Sequence, residues 1–241
     1  MASIGAALGL RCTVRALDLQ GRARRNWLLT ASVAIASGIW TMHFVAMLGF
    51  RVAGTPIRYD IPLTLLSLLV AVVVVSAGML TVGHYAHARF RALTLGGLGT
   101  GFGVAAMHYL GMAALRLDGS VGYDATRVAF SVLIAVAAAT AALWAALSVR
   151  GITGAVVASL VMGLAVSSMH YTGMSAVRVT VSGDGAVLPG ATAMEFIFPL
   201  TVVLGSFLFL TSAFVALSPT ARERADAAMA RPVEEIELPT R

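Results

Sequence analysis

Charged residues are absent over long stretches of this chain, and those stretches set its architecture. A helix crosses the hydrocarbon core of a bilayer with about 20 apolar residues. Six segments free of Arg, Lys, Asp and Glu reach that length: 27–50, 61–83, 92–115, 128–149, 151–177 and 196–217. Pro56 and Pro62 punctuate the approach to the second, and Pro199 falls in the first turns of the last, where a kink is tolerable. Segment 2–19 is apolar in its first half, and Arg11 and Arg15 interrupt it. Both arginines can snorkel toward the basic loop 21–25, so this segment reads as a short additional span, with an interfacial helix as the alternative. The expectation is an all-α membrane protein, a bundle of about seven transmembrane helices.

Composition removes the soluble alternative. Of 241 residues, 59% are hydrophobic and 12% charged, about half the charge of an ordinary soluble domain. Disorder needs the opposite balance. The single cysteine, Cys12, excludes an intramolecular disulfide framework and a cysteine-based zinc site. The N-terminus has no basic lead and no small-residue cleavage site, so a removable signal peptide is not expected. The net charge of +6 comes from arginine alone. It is spread over short loops, so it reads as topology and not as a nucleic-acid surface. Arg22, Arg24, Arg25, Arg89, Arg91 and Arg150 fall on one side, with Arg11, Arg15 and the arginines of the tail. Arg51, Arg58, Arg116, Arg127 and Arg178 fall on the other. The first side is taken as cytoplasmic, which puts the N-terminus outside and the C-terminus inside.

A threefold internal repeat carries the chemistry. Met42-His43-Phe44-Val45-Ala46-Met47, Met107-His108-Tyr109-Leu110-Gly111-Met112 and Met169-His170-Tyr171-Thr172-Gly173-Met174 share Met, His, an aromatic ring and a second Met. The histidines recur 65 and 62 residues apart, and an arginine (Arg51, Arg116, Arg178) follows each by eight. This spacing is that of a repeated helix pair. The three motif-bearing spans run in one direction, and eight residues are about 12 Å of helix. If the arginines mark the outer interface, the imidazoles lie at one depth in the outer leaflet. Ionisable residues inside a span usually face the bundle interior. Each His shares a helix face with the Met four residues later. Imidazole suits copper, zinc and iron, whereas thioether favours Cu(I). His43, Met47, His108, Met112, His170 and Met174 therefore form a candidate copper site. Haem fits an odd trio less well, since it takes an axial pair. Neutral, hydrogen-bonded histidines with methionine packing are the plain alternative.

On these three motifs, residues 1–217 resemble the bacterial MHYT-domain integral membrane sensors. The resemblance implies a multi-pass sensory domain that binds copper and through it a diatomic gas: oxygen, carbon monoxide or nitric oxide. The ligand role carries over to the three histidines and their flanking methionines. Only the third copy spells Met-His-Tyr-Thr, so a shared role for the tyrosine hydroxyl or the threonine is not implied at every copy.

Other features read as structural. Glu195 opens the last span, as a helix-start carboxylate or as an acceptor for a ligating histidine. His84 and His87 stand beside arginines and read as a solvated helix end. Gly97 with Gly101, and Gly99 with Gly103, give two G-x-x-x-G spacings that allow close helix approach. Residues 218–241 form a short charged cytoplasmic tail without room for an output domain, and no catalytic constellation is apparent. The leading expectation is a membrane sensor that signals to a separate cytoplasmic partner and is not an enzyme. A copper carrier and a ligand-free structural subunit are the alternatives.

Overall fold

The computed structural model describes residues 1–84, 89–149, 151–183, 185 and 187–218. Seven helices dominate: α1 (Ala2–Leu17), α2 (Gly21–Met47), α3 (Ile61–His84), α4 (Arg89–Ala113), α5 (Ala125–Ser148), α6 (Ile152–Ser175) and α7 (Phe198–Leu217). Each of the first six packs on its neighbours in sequence, and α6 returns to α1, so α1–α6 close a ring. α7 lies outside the ring against α2 and α1. The protein is an all-α multi-pass membrane protein built on a helix-pair repeat.

The solvent for the outer surface is legible in its side chains. Leu69 and Val73 on α3, Leu133 on α5, Leu164 on α6 and Phe209, Leu210 and Phe214 on α7 are all exposed. That apolar belt is stable only against lipid. Five helical segments among the described residues are long and apolar enough to cross a membrane: Gly21–Met47, Ile61–Gly83, Ala125–Ser148, Ile152–Ser175 and Ala193–Leu217. α1 has 16 residues and falls short in length. α4 is long enough, but its glycines dilute its hydropathy. Both are nevertheless members of the ring. Cys12 and Ala16 of α1 are fully buried, so α1 packs into the bundle on that face. Arg15 snorkels as expected, donating to the carbonyls of Val215 and Ser218 at the end of α7.

Glycine sets the closest helix approaches. A Cβ at Gly101 would stand 2.4 Å from Val136 Cα, and one at Gly97 2.9 Å from Thr140 Cβ. That spacing therefore packs α4 on α5. The second spacing does not act as a pair: Gly103 faces Val74 of α3, and Gly99 meets nothing within 4 Å. A helix turns 100° per residue, so positions two apart point to different neighbours.

The apolar spans overrun the helices at one end, where they become a small β cap that hydropathy did not foretell. β1 (Arg58–Tyr59) pairs antiparallel with β2 (Leu115–Arg116), and β3 (Gly119–Tyr123) with β4 (Val177–Val181). Tyr59 also bridges Ala191. The β-branched alternation of β4, Val-Arg-Val-Thr-Val, is the local signal for it. Asp60 precedes α3 and accepts from Leu63 N–H; Asp124 caps α5 and accepts from Arg127 N–H. Arg116 then bridges to Asp60 at 2.7 Å, and Arg178 to Asp124 at 2.8 Å.

Two expectations follow from this packing. Gly101→Val forces α4 off α5 and should cost about 1–3 kcal/mol, read as a lowered Tm of the purified protein. Asp60 is held below the ordinary carboxylate range first by the Leu63 N–H and then by Arg116. Its folded pKa is depressed, so its contribution to stability is present above about pH 4 and fades as pH falls through the folded value. In Tm-against-pH scans, Asp60→Asn should lower Tm near neutrality and flatten the acid limb. Coincident scans would remove the cap from the stability of this end.

Candidate metal centre

The motif-bearing helices α2, α4 and α6 all run toward the β cap, and each histidine lies in the last two turns of its helix. The helical period turns each imidazole onto the face that looks into the ring. His43, His108 and His170 are 1%, 1% and 2% exposed. Their ligand atoms all lie within 4.8 Å of one another. His43 Nδ1 is 3.0 Å from His170 Nδ1 and 3.1 Å from His108 Nδ1. The rings stand nearly perpendicular in pairs, with centroids 4.9, 5.0 and 5.2 Å apart.

The aromatic residue after each histidine braces it edge to face. Phe44 is 4.6 Å from His43, Tyr109 4.8 Å from His108, and Tyr171 5.1 Å from His170, centroid to centroid. The hydroxyls do not act alike. Phe44 has none and is buried, Tyr109 Oη meets Ser131 Oγ at 2.6 Å, and Tyr171 is 63% exposed. Edge-to-face bracing needs only a ring, which explains why Phe serves in the first copy.

The methionines are less uniform. Met47 and Met112 are buried and Met174 packs partly buried on the core. Met107 and Met169, which precede the second and third histidines, are buried as well. Glu195 belongs elsewhere. Thr192 N–H donates to its carboxylate at 2.8 Å, and its own N–H donates to Thr192 Oγ1. This capping box heads a π-helical turn, Ala193–Ile197, just before α7, so the helix-start reading of Glu195 holds. His84 closes α3 with its side chain outside the described residues, as are His87 and residues 219–241.

Two glycines of the motifs matter more than their composition suggests. The Nε2 atoms of His43 and His108 are buried with no hydrogen-bond partner. A Cβ at Gly111 would stand 2.6 Å from His43 Nε2, and one at Gly173 2.5 Å from His108 Nε2. Each motif thus makes room, three residues after its own histidine, for the imidazole of the preceding motif. The repeat alignment carries this signal as Gly in copies two and three, with Ala46 at the corresponding place in copy one.

Convergent Nδ1 atoms are suited to one cation. Bonds near 2.0–2.1 Å to imidazole nitrogens, at angles close to tetrahedral, require nitrogens roughly 3.0–3.4 Å apart. The two Nδ1–Nδ1 distances through His43 match that spacing. Among the described residues no carboxylate joins the convergent ligand atoms, so the donor set is imidazole nitrogen, which is borderline-soft.

A ring of six helices with three buried histidines at one end, built by repeating one helix pair, defines a multi-pass membrane protein of repeat construction. The family model described as "Bacterial signalling protein N terminal repeat", MHYT, matches residues 37–95, 101–159 and 163–230. The chain belongs to this family, which gives it a membrane sensing and signalling role. It is 46% identical over 164 residues to the bifunctional diguanylate cyclase/cyclic di-GMP phosphodiesterase MucR of Pseudomonas aeruginosa, covering 66% of this chain and 24% of that protein. It is 40% identical over 209 residues to the cyclic di-GMP phosphodiesterase NbdA of the same organism, covering 83% and 26%. The signalling protein YkoW of Bacillus subtilis is 31% identical over 163 residues, covering 65% and 20%. The chain thus spans about a quarter of the length of the first two relatives. No solved structure matches it.

The glycine contacts can be checked directly. Gly111→Ala and Gly173→Ala should each displace an imidazole and cost about 1–3 kcal/mol through overpacking, with altered nitrogen-15 shifts of the neighbouring histidine side chain. Ala46→Gly should leave those shifts in place. Unchanged shifts in both alanine variants would mean that the rings pack independently of the glycines.

Proposed function

We propose that residues 1–217 form a sensor domain in which His43, His108 and His170 hold a copper ion, with Met47, Met112 and Met174 as thioether donors or close neighbours. The observation that carries this reading is the approach of three buried imidazoles through Nδ1 in an apolar bundle. Burying three such groups together is costly, and a shared cation offsets that cost by using every converging lone pair. The absence of a carboxylate from the cluster favours a soft or borderline ion, and methionine in every motif favours Cu(I). A macrocycle has no space between rings whose centroids are about 5 Å apart, which disfavours haem.

Bound copper supplies an open coordination position for a diatomic gas. The protein's own part is to hold the imidazoles, exclude water and keep charged competitors out. The signal then passes to a cytoplasmic output partner, for which the names of MucR and NbdA suggest a cyclic di-GMP enzyme. In this reading the β cap faces outward, the N-terminus is outside and the C-terminus cytoplasmic, following the arginine bias of the loops. The chain itself is a receptor and not a catalyst. The copper-carrier reading is weaker, because among the described residues His43, His108 and His170 are the one cluster of His, Cys, Asp or Glu placed to hold a metal.

The test is metal content by mass spectrometry after copper loading, followed by Cu(I) and Cu(II) affinities. Each of His43→Ala, His108→Ala and His170→Ala should weaken binding by more than about 100-fold, above the usual cost of losing an outer partner. Met47→Leu, Met112→Leu and Met174→Leu should weaken Cu(I) more than Cu(II). Equal Cu(I) affinities in the leucine variants would leave an imidazole-only site. No copper after loading would end the metal reading.

A further inference from the structure

A second feature lies on the axis of the ring, away from the imidazoles. An apolar cavity of about 50 Å³ is lined by residues of all six ring helices. Its position relative to the histidines follows from the helical repeat. Ile39, Val104 and Val166 all line it, and each stands four residues before a motif histidine, on the same helix face. One turn is 5.4 Å, so the cavity begins one turn below the imidazole trio on all three helices at once.

Its origin is compositional. α5 presents Ala135 and Ala139 where neighbouring helices present larger side chains, and both alanines are buried. The polar group on its wall is Thr100 Oγ1, which has no hydrogen-bond partner. A buried water needs two to four polar partners, so one hydroxyl does not hold water there and the cavity is dry. Size is the second restriction. On this measure one water needs about 10–15 Å³, so the space takes a molecule of about three or four heavy atoms at most, whereas drug-sized ligand sites run to about 300 Å³ and above.

We propose that this cavity is a binding site for a small uncharged, apolar molecule of no more than a few heavy atoms, which it concentrates from the lipid phase and presents one helical turn from the imidazoles. Its biological meaning rests on the gas-sensing reading above; its existence does not. An ion is rejected by charge, a water by lack of partners, and a drug-sized organic solute by volume. A diatomic gas satisfies all three conditions, and xenon is its inert probe.

The experiment uses metal-free protein in lipid nanodiscs with carbon-13 methyl-labelled methionine, under increasing xenon pressure. Met79, Met162 and Met169 line the cavity, and exposed Met194 reports bulk solvent and lipid. The three lining methyls should shift along a saturating curve, while Met194 drifts linearly. Ala139→Leu fills the void and should abolish saturation; Ala135→Val does the same with a smaller insertion if the leucine variant does not fold. Linear drift at all four methyls in the parent, or saturation that survives filling, overturns the proposal. In copper-loaded protein, Ala139→Leu should slow carbon monoxide association with Cu(I) about tenfold at unchanged Cu(I) affinity, and an unchanged rate removes the presenting role. Saturable xenon binding in a chain that takes no copper would sink the metal reading alone. Copper binding without saturable xenon would sink the cavity alone.

Discussion

Three imidazoles meeting in a lipid-surrounded bundle constrain everything else in this fold. A histidine facing hydrocarbon is costly, so each motif helix must turn its histidine inward, and three such helices must then share one axis. Adjacent antiparallel helices cannot all do so, because alternate helices present opposite ends. The ring resolves this by placing α1, α3 and α5 between α6, α2 and α4, so that the three parallel motif helices converge at the capped end. The exposed leucines, valines and phenylalanines on the outside of the ring are the complement of that inward turn.

Convergence at that end would leave helix termini with unsatisfied backbone groups, and the β cap answers this. Strands follow α4 and α6 closely and α2 after a ten-residue loop, pair with one another across the seams, and lead the chain into α3 through Asp60 and into α5 through Asp124. Each aspartate is used twice, as a helix cap and as the partner of an arginine that follows the next motif. The eight-residue spacing of His108 to Arg116 and His170 to Arg178 therefore marks interhelical ties, beyond marking an interface. At the third seam the device changes: Thr192 and Glu195 cap each other, and the Tyr59–Ala191 bridge makes the connection instead.

Much of this was legible in the chain because bilayer length and threefold repetition are strong signals. The helices, the parallel sense of α2, α4 and α6, and the packing role of Gly97 and Gly101 follow from spacing alone. The β cap was not legible, since its strands fall almost wholly in the short segments beyond the ends of the apolar spans, as Val179 and Val181 do beyond Arg178. Nor was the ring closure, which depends on the approach of Gly163 to Ser3 across α6 and α1, a contact between residues with no pattern in common. Gly111 and Gly173 were visible within the motifs but silent, because a close-approach glycine is recognised only once its neighbour is known. The histidine trio shows the same limit: equal depth was legible, whereas approach through Nδ1 is a property of assembled rings.

The repeat is most informative where it breaks. Copies two and three carry glycine three residues after histidine, and both make room for a preceding imidazole. Copy one carries Ala46 there, and it also has the buried Phe44 in place of a tyrosine. His43 is the histidine whose Nδ1 meets both others, so it is the hub of the cluster. The helix that bears it, α2, is also the motif helix that contacts α7, whose far end is tied to α1 by Arg15. α7 thus packs on the helix that carries the hub of the cluster, while its own end is tied to α1. The departure from threefold symmetry places this contact on one side of the ring.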